Sequence, residues 1–107
     1  MICNGGYEMK IITVCGSLKY QNEMMEITEK MAKNGNCMLT PVYPIGKFKC
    51  SDEEKKLLGE AHFERIKLSD SILVVNVDNY IGESTNREIE YAKSLGKEII
   101  YYTDLII

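Results

Sequence analysis

Among the 107 residues of the chain, Glu88 occupies a place where a carboxylate has two uses. It lies in GESTNREIEYA, residues 82–92, between an apolar run and a helical pattern. Thr85 followed three residues later by Glu88 has the spacing of a capping box, in which hydroxyl and carboxylate each satisfy a backbone N–H at a helix start. The same carboxylate, if it faces a ligand, is a nucleophile or an acid–base group. Spacing alone favours the cap. Beside it, Gly82, Ser84 and Thr85 combine free N–H groups, hydroxyls and the positive end of a helix dipole, which together suit an anion.

Four further positions carry candidate chemistry. Gly16-Ser17 follows an apolar strand and can bring backbone N–H groups against a phosphate or sugar, although it is neither GxGxxG nor a P-loop. Asn76 is a polar side chain ending a second apolar run, the place of a ligand contact. His62 lies inside a helical pattern; a lone helical histidine is usually surface or satisfied core, with proton transfer as the alternative. Cys15, beside the glycine turn, has only the sequence-distant His62 as a base. Asp70, before the second apolar run, reads as a cap or turn residue, and Arg87 and Lys93 as solvated charges.

The four cysteines, Cys3, Cys15, Cys37 and Cys50, form no CxxC pair and lack zinc-ligand spacing. They are expected to be reduced thiols of a cytoplasmic protein, and no metal or other cofactor is expected. With 45% hydrophobic and 27% charged residues, the composition is that of one ordinary globular domain. The net charge of −3, with Lys and Arg scattered, argues against a nucleic-acid polymer as partner. No apolar run approaches the ~20 residues that span a bilayer. Residues 1–8 resemble no signal peptide and read as an extension or leader ahead of a single domain over 9–107.

The elements that must position these residues follow from periodicity. Residues 10–15 (KIITVC) and 71–77 (SILVVNV) are continuously apolar, as strands buried on both faces are. Residues 37–42 and 98–102 supply two more strands, and 104–107 a short fifth strand or tail. Helices are predicted over 21–33, where Met24, Ile27, Thr28, Met31 and Ala32 form a core stripe, and from the capping box Ser51–Glu54 to about Leu68. The second has Leu57, Leu58, Ala61, Arg65, Ile66 and Leu68 on or near one face. A third helix, over 86–95, ends at Gly96. Alternating strands and helices predict an α/β fold: a small doubly wound parallel sheet of order 2-1-3-4, flavodoxin- or Rossmann-like, in three layers. Such sheets bind ligands beyond the carboxyl ends of the strands where the order reverses. Gly16-Ser17 and the 77–85 loop meet there.

Taken together, VCGSLKY, IKLSD, SILVVNV and GESTNREIEYAKSLGKEIIYY resemble the nucleoside 2-deoxyribosyltransferase superfamily, which includes the 2′-deoxynucleoside 5′-phosphate N-hydrolases. The resemblance covers most of residues 10–102 and rests on several short motifs in a shared order. In that family the glutamate opening the last helix attacks the anomeric carbon of a 2-deoxyribosyl group and expels the base. Glu88 stands at the matching position. The hydrolases hold a 5′-phosphate at their glycine-rich turns, which implies Gly16, Ser17 and Ser84 here. A second family acid, eight residues ahead of the acid matching Asp70, is His62 in this chain, a replacement proton donor. The transferases' sugar-binding aspartate, six residues before the nucleophile, is Gly82.

The resemblance thus implies cleavage or transfer at the N-glycosidic bond of a nucleoside or nucleoside 5′-phosphate, by a homodimer. A non-catalytic nucleotide-binding module of the same fold is the alternative, supported by His62 in place of the second acid.

Overall fold

The computed structural model describes residues 9–46 and 49–106; the expected leader, Cys3 and Ile107 lie outside them. Four strands, β1 (Ile11–Gly16), β2 (Cys37–Leu39), β3 (Ser71–Val75) and β4 (Glu98–Tyr101), form one parallel sheet of order β2-β1-β3-β4. Between them run the helices α1 (Gln21–Lys33), α2 (Asp52–Leu68) and α3 (Glu83–Ser94). This is the doubly wound arrangement expected from the alternation of apolar runs and amphipathic stretches.

Alternation along the strands divides the core into two layers. Ile12, Val14, Leu73 and Val75 face one way and pack with Met24 and Ile27 of α1. Cys15, Ile72 and Val74 face the other way and pack with Ile66 of α2 and Ile89 and Ala92 of α3. The parity of Cys15 therefore aims its thiol at the two helices that carry His62 and Glu88.

Polar contacts fix α2 and the lower edge of the sheet. Thr13 Oγ1 and Ser69 Oγ both donate to the Arg65 carbonyl, at 3.0 and 2.7 Å, and lie against each other. That cluster pins the last turn of α2 to β1 and sets the height of His62 one turn above it. The Asp70 carboxylate accepts from the Ile11 N–H at 2.8 Å, holding β1 beside β3 at the end remote from the ligand loops. Asp70 is thus the turn residue that its position suggested.

The capping box at the start of α2 forms as expected, with Glu54 N–H donating to Ser51 Oγ and Ser51 N–H to Glu54. Its apolar face differs from the expected one. Leu57, Leu58 and Leu68 are exposed, and the buried positions are His62 and Ile66. Length explains the exposure of Leu57 and Leu58. The 17 residues of α2 run about 25 Å, whereas strands of four to six residues span roughly 13–20 Å. The first turns of α2 overhang the carboxyl ends of the strands and leave the core. Ala32, assigned to the buried stripe of α1, is also exposed.

Several boundaries move as well. β2 stops at Leu39, and β3 stops at Val75, followed by a 3₁₀ turn over Val77–Asn79. Residues 102–105 form a single helical turn, α4 (Tyr102–Leu105), instead of a fifth strand. Thr103 causes the difference: its N–H donates to Asn76 Oδ1 and its hydroxyl accepts from Asn76 Nδ2, which draws the chain back across the end of β3. Among the described residues no helix is long and apolar enough to cross a membrane.

Candidate active site

A cleft of about 500 Å³ opens at the carboxyl ends of β1 and β3, where the strand order reverses. Gly16, Ser17, His62, Gly82, Ser84, Thr85 and Glu88 all line it. Of the site residues drawn from the sequence, only Asn76 is elsewhere. Its buried amide is engaged with Thr103 at 3.1 and 3.2 Å, so it ties α4 to the end of β3. Asn76→Ala is expected to cost about 1–2 kcal/mol of stability through the two lost hydrogen bonds, read from urea denaturation.

Close packing explains the glycines. A Cβ on Gly16 would lie 3.2 Å from the Val75 carbonyl and 3.4 Å from Met24 Sδ, so a side chain here would crowd the close approach of the β1 turn to β3. The Ser17 hydroxyl accepts from the Lys19 N–H at 3.4 Å and starts a 3₁₀ turn over Leu18–Tyr20. On the facing loop, Asp78 and Asn79 adopt left-handed backbone conformations, φ 54° and 61°, which Asp and Asn tolerate better than most residues. They turn Tyr80 back over the cleft, where its hydroxyl would lie 3.2 Å from a Cβ on Gly82. Lys19 Nζ sits 3.7 Å above the Tyr80 ring and joins the two loops at the mouth.

The start of α3 differs from the sequence reading, and the difference leaves Glu88 without a capping role. Gly82 is the N-cap, no side chain caps the turn, and Thr85 is already buried as the third helical residue. The expected Thr85–Glu88 capping box is absent because the helix begins three residues earlier than its spacing implied. The first-turn N–H groups are left to solvent or to an anion. Glu88, one turn further on, points its carboxylate into the site with 18% of the side chain exposed.

Glu88 meets Cys15 and His62 there. Sγ of Cys15 is 3.5 Å from Nε2 of His62, and Nε2 is 3.9 Å from Glu88 Oε1. Arg65, one turn along α2, places Nη1 3.2 Å from Nδ1 of His62. A guanidinium only donates, so Nδ1 accepts and we assign the ring proton to Nε2.

Burial sets the charge states. The Glu88 pKa is pushed up to about 7 by desolvation, partly offset by the neighbouring Cys15 thiol and by the Arg87 charge. That of His62 is pushed down to about 4 by desolvation and the nearby Arg65 charge, against a smaller opposing effect of the Val14 carbonyl. At neutral pH the ring is uncharged, so His62 and Glu88 are not an ion pair. The Cys15 thiol is held well above its ordinary value by burial and by the Glu88 charge. Nucleophilic cysteines need the opposite environment, so the proximity of His62 does not make Cys15 a nucleophile. Cys15, Cys37 and Cys50 are free thiols, as expected.

The donor atoms of Cys15, His62 and Glu88 lie within 4.8 Å of one another and are types that bind zinc. The surroundings fit a metal poorly. A metal-bound imidazole usually turns its other nitrogen, as N–H, toward a carboxylate or carbonyl, whereas here that nitrogen faces a guanidinium.

Arg65 and Tyr80 also line the cleft, beyond the residues expected from the sequence. Arg65 stands three residues from His62, the spacing that puts two side chains on one helix face. Tyr80 is an aromatic residue in the loop at the switch point. Compared with models of known protein families and with curated proteins, the chain matches none.

Proposed function

We propose that the chain acts on the N-glycosidic bond of a nucleoside or nucleoside 5′-phosphate, with Glu88 as the nucleophile. The observation that carries this reading is Glu88 itself. Its carboxyl is free of helix capping, faces the cleft at the switch point, and titrates at about 7. A carboxylate so placed stabilises an oxocarbenium-like transition state and then bonds to it.

In the first step Glu88 Oε bonds to the anomeric carbon as the carbon–nitrogen bond breaks. The electron pair leaves with the base, which takes up a proton from solvent. In the second step water, or another base, attacks the same carbon, loses its proton to solvent and releases the Glu88 carboxylate. Water makes the chain a hydrolase, and a base makes it a transferase. His62 enters uncharged, so it has no imidazolium proton to release to the base. Gly16, Ser17, Gly82, Ser84 and Thr85 contact the sugar or a 5′-phosphate, for which the uncapped first turn of α3 supplies N–H donors.

The test is incubation with a panel of nucleosides and 5′-nucleotides, with free base separated by chromatography. Release of base from at least one member is expected. Saturable binding without release favours the second reading, a nucleotide-binding module, whose support is the neutral His62 where the resembled family has an acid.

The same proposal includes a homodimer. Val42, Ile45, Leu57 and Leu58 are exposed around an apolar groove of about 710 Å³ next to the cleft, a surface of the kind that association covers. Size-exclusion chromatography with light scattering is expected to give twice the chain mass, and a strict monomer would count against the dimer.

A further inference from the structure

Four side chains from three elements form a directional chain that ends on Glu88. The Arg65 guanidinium donates to Nδ1 of His62 at 3.2 Å, which leaves the proton on Nε2. Nε2–H points at Sγ of Cys15, 3.5 Å away. The sulfur then has its own proton to give, and the Glu88 carboxylate lies within 4.8 Å of it. We propose that Cys15 is a positioning residue: its S–H donates to ionised Glu88, with its sulfur oriented by the His62 Nε2–H that Arg65 enforces. The proposal rests on Glu88 being the reacting group, but its test does not need turnover.

The surroundings explain why a thiol serves here. Cys15 is fully buried among Ile66, Ile72, Val74 and Ile89. A thiol packs in such a place as a small hydrophobe and still offers a weak donor. A carboxylate desolvated in this pocket would otherwise lose its ionised form, and the hydrogen bond from Cys15 lowers its pKa. The groups that bear on Glu88 are Cys15 from β1, His62 and Arg65 from α2, and Arg87 on its own helix. Of these, Cys15 is fully buried and lies outside the cleft lining, out of a substrate's way.

The experiment is a pH titration of the Glu88 carboxyl by carbon-13 NMR in wild type, Cys15→Ala, Cys15→Ser and Arg65→Met. Removing the donor in Cys15→Ala is expected to raise the midpoint by about one pH unit. Cys15→Ser keeps a donor and is expected to bring the midpoint back toward wild type. Arg65→Met keeps its stem packed but frees the His62 tautomer, and is expected to move the midpoint the same way by a smaller amount. It also serves if Cys15→Ala does not fold. Midpoints unchanged in Cys15→Ala and Arg65→Met would overturn the proposal, as would Cys15→Ser behaving like Cys15→Ala. A chain that shows the shift but releases no base keeps the positioning role and overturns the glycosidic function instead.

Discussion

Glu88→Gln is expected to fold and to bind nucleosides or nucleotides, yet to release base slower by on the order of 10³-fold or more. Glutamine has the size and the hydrogen-bonding reach of glutamate but cannot form the glycosyl ester. A capping role would make the variant ambiguous, because losing a cap costs about 1 kcal/mol and disturbs the helix end. Here Gly82 starts the helix and Glu88 lies in its second turn, so the substitution leaves the helix start intact. The wild-type pH profile adds a sign. A nucleophile must be ionised, and the Glu88 pKa is about 7. The rate constant kcat/KM is therefore expected to rise with pH through about 7 and then level off. A profile falling over that interval would mean that the protonated carboxyl is the active form.

The same substitution is expected to stabilise the fold at alkaline pH. Glu88 titrates at 4.5 in the unfolded reference and at about 7 when folded. Below the lower value both states hold the proton, and the group's contribution to stability is fully present. As pH rises toward 7 the unfolded chain releases the proton while the folded chain keeps it, so stability falls, and above 7 the loss is complete. A shift of about 2.5 units corresponds to roughly 3 kcal/mol at most, and local relaxation reduces it. Glu88→Gln removes this loss, so its advantage over wild type should be near zero at pH 4.5 and on the order of 2 kcal/mol at pH 8. His62 has the opposite linkage. Its folded pKa is depressed from 6.5 to about 4, so its contribution is present above 6.5 and lost as pH falls through 4. The two slopes oppose each other in wild type, and only the His62 slope remains in the variant. Paired denaturant titrations across this range check the claim; a difference that does not change with pH would contradict it. Such a gain in a variant without activity is the usual trade between stability and an active site that holds an unfavourable group.

What could be read from the sequence divides along the range of the interactions. Strands β1 and β3 were legible because both faces are buried, which requires unbroken apolar runs. The box at Ser51–Glu54 was legible because all its partners lie within one turn. The start of α3 was misplaced for the converse reason. Thr85–Glu88 has the local spacing of a cap, but Tyr80 folded against Gly82 and the buried Thr85 set the helix three residues earlier. The face of α2 was misread because periodicity does not say how far a helix extends past its sheet, and Leu57 and Leu58 lie on the overhang. The switch-point cleft followed from topology, and with it Gly16, Ser17, Gly82 and Glu88. The meeting of Cys15 and His62 did not, since they are 47 positions apart and only the parity of β1 aims one at the other.

The most direct test of Glu88 as the nucleophile is mass spectrometry of the intact protein, acid-quenched during turnover of a 2-deoxynucleoside or its 5′-phosphate. A protein species heavier by one glycosyl group is expected, mapped by peptide digestion to the segment containing Glu88 and absent from Glu88→Gln. Base release without any adduct, or an adduct on the Cys15 peptide, would contradict it.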